Sequence, residues 1–346
     1  EKTSTTNIGF DFGVFNNRLN ISFDASNRNS RDLINSKALP HENGFNYVNL
    51  NWAEVSNKGW EVSLSTLNIN TKHFRWNTDF NISKNKSNVD KINTPDNDWF
   101  PSRQGYPVNA LFGIETAGLD ENGLMLFKNS EGEKVSMKEF YNLETGMWGD
   151  VITNYNAVEF RKLFTYMGDM DPQLTGGFNN RFSYKNVDLS ISSNFFINRT
   201  VRETPFYNPS KVDPGINYTT RMHNVWSEDN PTGIYPRILG RNSNNPALDM
   251  AYNWIDSYDA SRSYDYYDIW IKKINTFRIS SIRLGYTLTQ DVLKSNYISA
   301  IRFNAEARNP FVFGSSYNGY FDPENYGNIY SQPIPKTISF GVNVSF

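Results

Sequence analysis

Cysteine is absent from the 346 residues, which removes disulfide frameworks, thiol catalysis and cysteine zinc sites while leaving the cellular compartment open. Histidine is scarce. His41, His73 and His223 stand far apart, with no i,i+4 partner and no Glu at zinc spacing, so no metal-site motif is present. Long hydrophobic runs are also missing. No stretch approaches the roughly 18 apolar residues of a membrane helix, so passage through a bilayer would require strands closed into a barrel, which leaves no unpaired backbone in lipid. Neither sign of charge dominates: 34 basic residues face 36 acidic ones for a net charge of −2. With no basic block to track a phosphate backbone, nucleic acid is excluded as a partner. A Gly-x-Ser-x-Gly elbow and a Gly-rich phosphate loop are lacking, and nothing calls for a cofactor. The opening Glu1-Lys2-Thr3-Ser4-Thr5 is no signal peptide, so a leader is expected to have been removed or the true N-terminus to lie elsewhere.

What the chain has is aromatic side chains in a polar setting: hydrophobic residues make up only 38%, yet Phe, Tyr and Trp account for 15%. Disordered chains are poor in aromatics, so a folded structure is expected. The recurring pattern is alternation with a period of two. Ile8, Phe10, Phe12 and Val14 share a face, and after an Asn16-Asn17 turn Leu19, Ile21, Phe23 and Ala25 repeat it as a tight hairpin. The pattern recurs at Trp60 to Thr66, Phe74 to Ile82, Val108 to Ile114, Phe178 to Tyr184, Val187 to Ser193, Ile282 to Leu288 and Ile301 to Ala307. It ends with Ile338, Phe340, Val342, Val344 and Phe346 in step.

The apolar faces carry no charge, whereas the opposite faces hold Asp11, Asp24, Glu61, Arg75, Asp79, Arg181, Asp188, Arg283, Arg302 and Glu306. One side is built for lipid and the other for a water-filled lumen, the pattern of an all-β transmembrane antiparallel barrel. A soluble sheet also alternates, so an extracellular carbohydrate-binding β-sandwich without transport activity is the rival. Segments of about ten residues favour the membrane strand, and Trp60, Trp76, Tyr184, Tyr286 and Phe346 suit interfacial girdles. Turns near residues 16, 56, 185 and 290 are short, while 28 to 44, 116 to 173, 199 to 275 and 311 to 334 are long and polar, as expected of periplasmic turns and extracellular loops. With a weaker strand at 45 to 55, about eleven strands are expected, an odd number where single-chain bacterial barrels are even. A periplasmic C-terminus then makes the first strand run inward from outside, so residues 1–346 read as the C-terminal half of a barrel.

The closing segment Pro335 to Phe346 looks like the last strand of an outer-membrane protein, with Phe346 resembling the signal read by the barrel-assembly machinery. The order of earlier segments is more specific. Asn57-Lys58-Gly59-Trp60-Glu61, Gln104-Gly105-Tyr106-Pro107 leading to Phe112-Gly113, and Gly118-Leu119-Asp120-Glu121-Asn122-Gly123 come first. Gly168-Asp169-Met170-Asp171-Pro172 with Thr175-Gly176-Gly177-Phe178, Tyr184-Lys185-Asn186-Val187-Asp188-Leu189-Ser190 and Trp226-Ser227-Glu228-Asp229-Asn230-Pro231 follow. Ile279 to Tyr286, Ala307-Arg308-Asn309-Pro310-Phe311 and Asp322-Pro323-Glu324 complete the series. In this order they resemble the SusC/RagA-like TonB-dependent outer-membrane transporters. Two departures are an extra residue within Tyr317 to Asp322 and the Tyr- and Asp-rich stretch 255 to 277.

The resemblance implies a barrel of about 22 strands in the complete protein, with a plug and TonB box outside this sequence, in the outer membrane of a Gram-negative bacterium. It also implies a SusD-like lipoprotein lid and TonB-powered import of a glycan or peptide, with no enzymatic role. The residues themselves nominate Trp226, Tyr235, Arg237, Trp254, Tyr258, Tyr264, Tyr266, Tyr267 and Trp270 for ligand binding, because flat rings stack on sugars or peptide side chains and polar groups direct hydrogen bonds. Interfacial anchoring or packing against a lid selects the same residue types. Asp120-Glu121-Asn122-Gly123 has calcium-like oxygens without EF-hand spacing and reads as a turn. Asp169 and Asp171 beside Pro172 likewise read as a turn and not as an acid–base pair.

Overall fold

A period-two pattern places alternate side chains on opposite faces of a pleated strand, and in the computed structural model it yields one antiparallel sheet of nine strands. The structure describes residues 1–39, 42, 44, 47–96, 98–142, 156–209, 212–239, 263–294, 297–314, 322–325, 332 and 334–346. The sheet runs β1 (Lys2–Val14), β2 (Leu19–Ala38), β3 (Tyr47–Asn70), β4 (Phe74–Lys91), β10 (Leu174–Tyr184), β11 (Val187–Arg202), β12 (Ile271–Thr289), β13 (Ala300–Gly314) and β14 (Thr337–Ser345). Each strand pairs with the next in this order, so the sheet is an up-and-down meander.

The connection between β4 and β10 holds β5 (Ala110–Gly113) paired with β9 (Thr165–Asp169), and a small sheet of β6 (Thr116–Leu119), β7 (Met125–Lys128) and β8 (Lys134–Ser136). The connections at one end are short: residues 15 to 18, 71 to 73 and 185 to 186, and the helical turn Gln290–Leu293. At the β1–β2 turn Phe15, Asn16 and Asn17 all take positive φ near 55–61°, a conformation Asn tolerates better than most residues.

Two expectations about strands are corrected. The stretches at 45 to 55 and 60 to 66 are one strand, β3, of 24 residues. The short turn expected near residue 56 is absent: Ser56 to Gly59 stay extended and pair with both neighbours. The true turn is at 71 to 73, where Thr71 closes on the Phe74 carbonyl through both its N–H and its hydroxyl. Val108 to Ile114 is not in the wall: Ala110, Leu111 and Ile114 are buried, and among the described residues β5 pairs only with β9. Its alternation belonged to a small core buried on both sides. Removing these two from the expected count leaves the nine observed.

Strands also overrun the expected loops. Residues 28 to 38 are in β2, and β11, β12 and β13 extend to Arg202, from Ile271 and to Gly314. At about 3.4 Å per residue, β3 is far longer than a hydrocarbon core of about 30 Å requires. The excess carries the sheet beyond the membrane on the side of the long connections.

The apolar face is uncovered. Phe10 is 58%, Leu284 49%, Phe311 52% and Phe340 82% exposed, and among the described residues no second sheet packs on them. A soluble sandwich would bury that face, so the rival reading fails. Polar groups on it satisfy each other, as lipid demands. Trp76 Nε1 and the Thr78 hydroxyl donate to Asn180 Oδ1 at 3.1 and 2.7 Å, and Asn68 donates to Thr78 at 2.8 Å.

Leu64, between Ile21 and Phe80 on this face, gives a direct check. In the full-length protein, L64R is expected to cost about 2–4 kcal/mol and to reduce the heat-modifiable barrel band, while S65R on the opposite face leaves it intact. Equal losses would refute the assignment of faces.

Candidate functional site

The strand registers carry every charged residue nominated for the lumen onto one face. Asp24 lies opposite Glu61, Ser65 opposite Asp79, Asp79 opposite Asn179 and Arg283 opposite Glu306. Asp11, Arg75, Arg181, Asp188 and Arg302 fall in the same rows. A hollow of about 830 Å³ is lined from six adjacent strands, with Asp11, Asn20, Ser65, Asp79, Asn179 and Ser192 among its residues. A hollow drawn from six neighbouring strands requires the sheet to curve around it.

Charges on this face are paired or solvated. Ser22 donates to Asp11 at 2.5 Å and Ser65 to Asp79 at 2.7 Å. Arg302 meets Asp188 at 2.8 Å and the Thr287 hydroxyl at 3.1 Å, while Arg283 and Arg308 both reach Glu306 at 3.1 Å. Asp188 is on β11 and Arg302 on β13, so their ion pair crosses β12. It does so over Gly285, where a Cβ would run into both partners. Such solvent-screened pairs organise the wall and add little to its stability.

The long connections fold into a cap with its own core. Tyr264, Tyr267 and Trp270 are 0% exposed, and Trp226 and Tyr235 are also buried. Tyr235 stacks on Trp270 with centroids 5.3 Å apart, and Phe127, Phe140, Phe160 and Phe164 continue the packing. This corrects the expectation that these rings offer open faces to a ligand: Tyr235, Tyr264, Tyr267 and Trp270 are spent on core. Tyr266 is half-buried, with the Arg202 guanidinium 4.2 Å above its ring. Trp254 and Tyr258 lie outside the described residues.

The cap does hold a hollow of about 460 Å³, lined by Met222, His223, Trp226, Glu228, Asn230, Arg237 and their neighbours. It brings together two nominated residues, Trp226 and Arg237, with the guanidinium 5.4 Å from the indole centroid. The Gly118–Gly123 motif packs behind two of the lining residues, Trp226 and Arg237. Asp120 Oδ1 accepts from the N–H groups of Asn122 and Leu124, as in a turn. Arg237 donates to the carbonyls of Gly123 and Asn122 at 2.9 and 3.3 Å. Gly123 takes φ +75°, and a Cβ there would strike the Trp226 ring. Asn230 closes the front by donating to the His223 carbonyl at 2.9 Å. A ring edge, a guanidinium and a carboxylate around a half-open hollow suit a polar ligand with an apolar part.

Two ionic anchors were missed by sequence reasoning. Arg278, on the polar side of β12, is buried and clamped by Asp322 and Glu324, which gives the Asp322-Pro323-Glu324 motif its purpose. Arg221 pairs with the buried Glu203 and donates to the Tyr235 hydroxyl at 2.7 Å. Burial works against the Arg221 charge, but hydrogen bonds to Glu203 and Tyr235 outweigh it and hold the guanidinium more firmly protonated than usual. Asp169 accepts from the Asp171 N–H at 3.0 Å and Asn109 donates to Asp171, so this pair forms a turn. Partial burial, with the Asp171 charge adding to it, raises Asp169 above the usual carboxylate range.

No family model matches the chain. Over its whole length it is 26% identical to TonB-dependent receptor P3 of Formosa agariphila and 24% identical to TonB-dependent receptor SusC of Bacteroides thetaiotaomicron, covering 34% and 32% of those proteins. Among solved structures, the RagAB peptide transporter matches 99% of the chain with a TM-score of 0.73 at 22% identity, using 35% of that chain. The closed-closed state of the RagAB peptide importer gives 0.74. The chain is similar throughout to the SusC/RagA-like TonB-dependent transporters. It is an outer-membrane β-barrel chain of a Gram-negative bacterium, and it spans about a third of the length of the relatives it matches.

In the cap, the seat of Trp226 is testable through Gly123. G123V forces a side chain into left-handed backbone, costing about 1–3 kcal/mol, and displaces the indole. The expected outcome is a red-shifted Trp emission and faster proteolysis of the cap, with the heat-modifiable barrel band unchanged. Unaltered emission would show that the glycine is not needed there.

Proposed function

We propose that the complete protein imports a large nutrient, a glycan or an oligopeptide, across the outer membrane. Residues 1–346 supply barrel wall and extracellular cap, as the C-terminal part of a barrel of about 22 strands. The observation that carries this reading is a curved sheet with a charged, solvated face and an uncovered apolar face, in a chain similar throughout to TonB-dependent receptors. In this reading the ten charged residues line the lumen. They keep the wall wet and offer complementary charge to a plug, with Arg302, Arg283 and Arg181 as cationic contacts. Substrate is held between a SusD-like lipoprotein lid and the cap, where the Trp226–Arg237 hollow is the best contact, and TonB pulling on the plug opens the path. Phe346, exposed beyond the last strand, serves as the barrel-assembly signal. No step requires bond chemistry from these residues, and catalysis is assigned to none of them.

Uptake of labelled oligopeptides and glycans by cells making the full-length protein tests the reading. Uptake should disappear when TonB is inactivated and fall sharply when the lid lipoprotein is deleted; uptake indifferent to TonB would overturn it. R302A, which breaks the Asp188 pair, is expected to leave the assembled barrel on gels but to loosen the plug, seen as about a several-fold rise in leakage of a bulky antibiotic. Loss of the barrel itself would count against a lumen role.

A further inference from the structure

On the outward face, the apolar band ends abruptly at the side of the long connections. Ile8, Ala25 and Trp60 form its last row on β1 to β3, and Lys84 of β4 lies opposite Trp60. One step further out, Thr6, Asn27, Lys58 and Lys86 form the next row. Lys58 and Lys86 stand directly opposite each other, an arrangement that destabilises a sheet unless an anion relieves it. The structure shows no such anion of its own: among the described residues, ion pairs on the neighbouring lysines run from Lys91 to Glu54 and from Lys2 to Asp32, and none involves Lys58, Lys84 or Lys86. Asp90, the acid next along β4, accepts from Asn88 and Ser56 at 2.6 and 3.1 Å.

These groups surround a shallow hollow of about 520 Å³, with Ile8, Ala25, Gly59 and Trp60 in its lining and the three lysines along it. Gly59 brings the β3 and β4 backbones close, since a Cβ would come within 2.9 Å of the Lys84 carbonyl. The Asn27 Oδ1 in the same lining is buried without a hydrogen-bond partner, and a turn of this half-buried side chain would bring the oxygen to an outside donor.

We propose that this hollow binds the phosphorylated glycolipid of the outer leaflet, lipid A. Long connections mark the extracellular end, so the lysines sit at headgroup height in that leaflet. Three ammonium groups fit sugar phosphates, the apolar floor fits the first methylenes of an acyl chain, and the orphan Asn27 oxygen fits a sugar hydroxyl or amide N–H. A plain phospholipid brings one phosphate to a hollow lined by three lysines, where bisphosphorylated lipid A brings two. The proposal rests on the outer-membrane setting and not on any choice of cargo.

The test uses the full-length protein purified in detergent, with bisphosphorylated lipid A, its dephosphorylated form and phosphatidylglycerol as probes in native mass spectrometry. Wild type should retain lipid A, and the triple variant K58Q/K84Q/K86Q should bind it about tenfold or more weakly while keeping heat-modifiable migration. K185Q, at the opposite end of the sheet, should bind as wild type does. Raising salt should weaken wild-type binding, because exposed ammonium–phosphate contacts are screened. Unchanged binding by the triple variant, equal binding of dephosphorylated lipid, or phosphatidylglycerol bound as tightly as lipid A would each overturn the proposal. Transport assays read a different property, so failure here is distinguishable from failure of the import reading.

Discussion

Hydrocarbon offers no hydrogen bonds, so a chain crossing it must pair every backbone N–H and C=O internally. Without long apolar helices the remaining solution is a sheet, and each interior strand here is paired on both sides over the span it shares with its two neighbours, as β4 is from Arg75 to Ser83. Pairing over the shared span fixes the register, and the register sorts side chains, because a slip of one residue would carry Asp79 or Arg283 onto the apolar face. The polar row and the apolar row are two consequences of one ladder. Polar side chains within the apolar band, among them Thr78, Asn180 and the Trp76 ring nitrogen, bond to each other.

The same ladder dictates where glycine is needed. Gly285 leaves β12 bare so that Asp188 and Arg302 can join across it, coupling three strands with one ion pair. Gly123 does the corresponding work in the cap by leaving room for Trp226. Both lie inside short motifs that, read as letters, had no mechanism. In the structure they are places where a side chain from elsewhere occupies the space a Cβ would take.

Much of the wall was legible because alternation reports directly on a two-sided environment. Phe178 to Tyr184 and Val187 to Ser193 lie where the pattern put them, joined at Lys185-Asn186. The failures share a cause. Asn57-Lys58-Gly59 has turn chemistry, yet pairing on both sides outweighs that local preference and keeps β3 straight. Val108 to Ile114 alternates, but the alternation of a short strand in a globular core is indistinguishable from that of a membrane strand until its partner is known. The cap aromatics left two readings open for the same reason. Stacking residues for a ligand and stacking residues for a core have the same composition, and only burial separates Trp270 from a ring that meets substrate.

A cap with an aromatic core also bears on mechanism. Loops that merely draped over a pore would pay the cost of ordering each time they engaged a partner. Here Tyr235, Tyr264, Tyr267 and Trp270 have spent their surface on one another, and the cap is tied to the wall at two ionic points, Arg278 with Asp322 and Glu324, and Arg221 with Glu203. Arg278 belongs to the sheet and Asp322 to the connection after β13, so displacing that connection leaves a buried guanidinium without its carboxylates, a costly state. The cap therefore presents its hollow as a preorganised surface, held in place by these anchors.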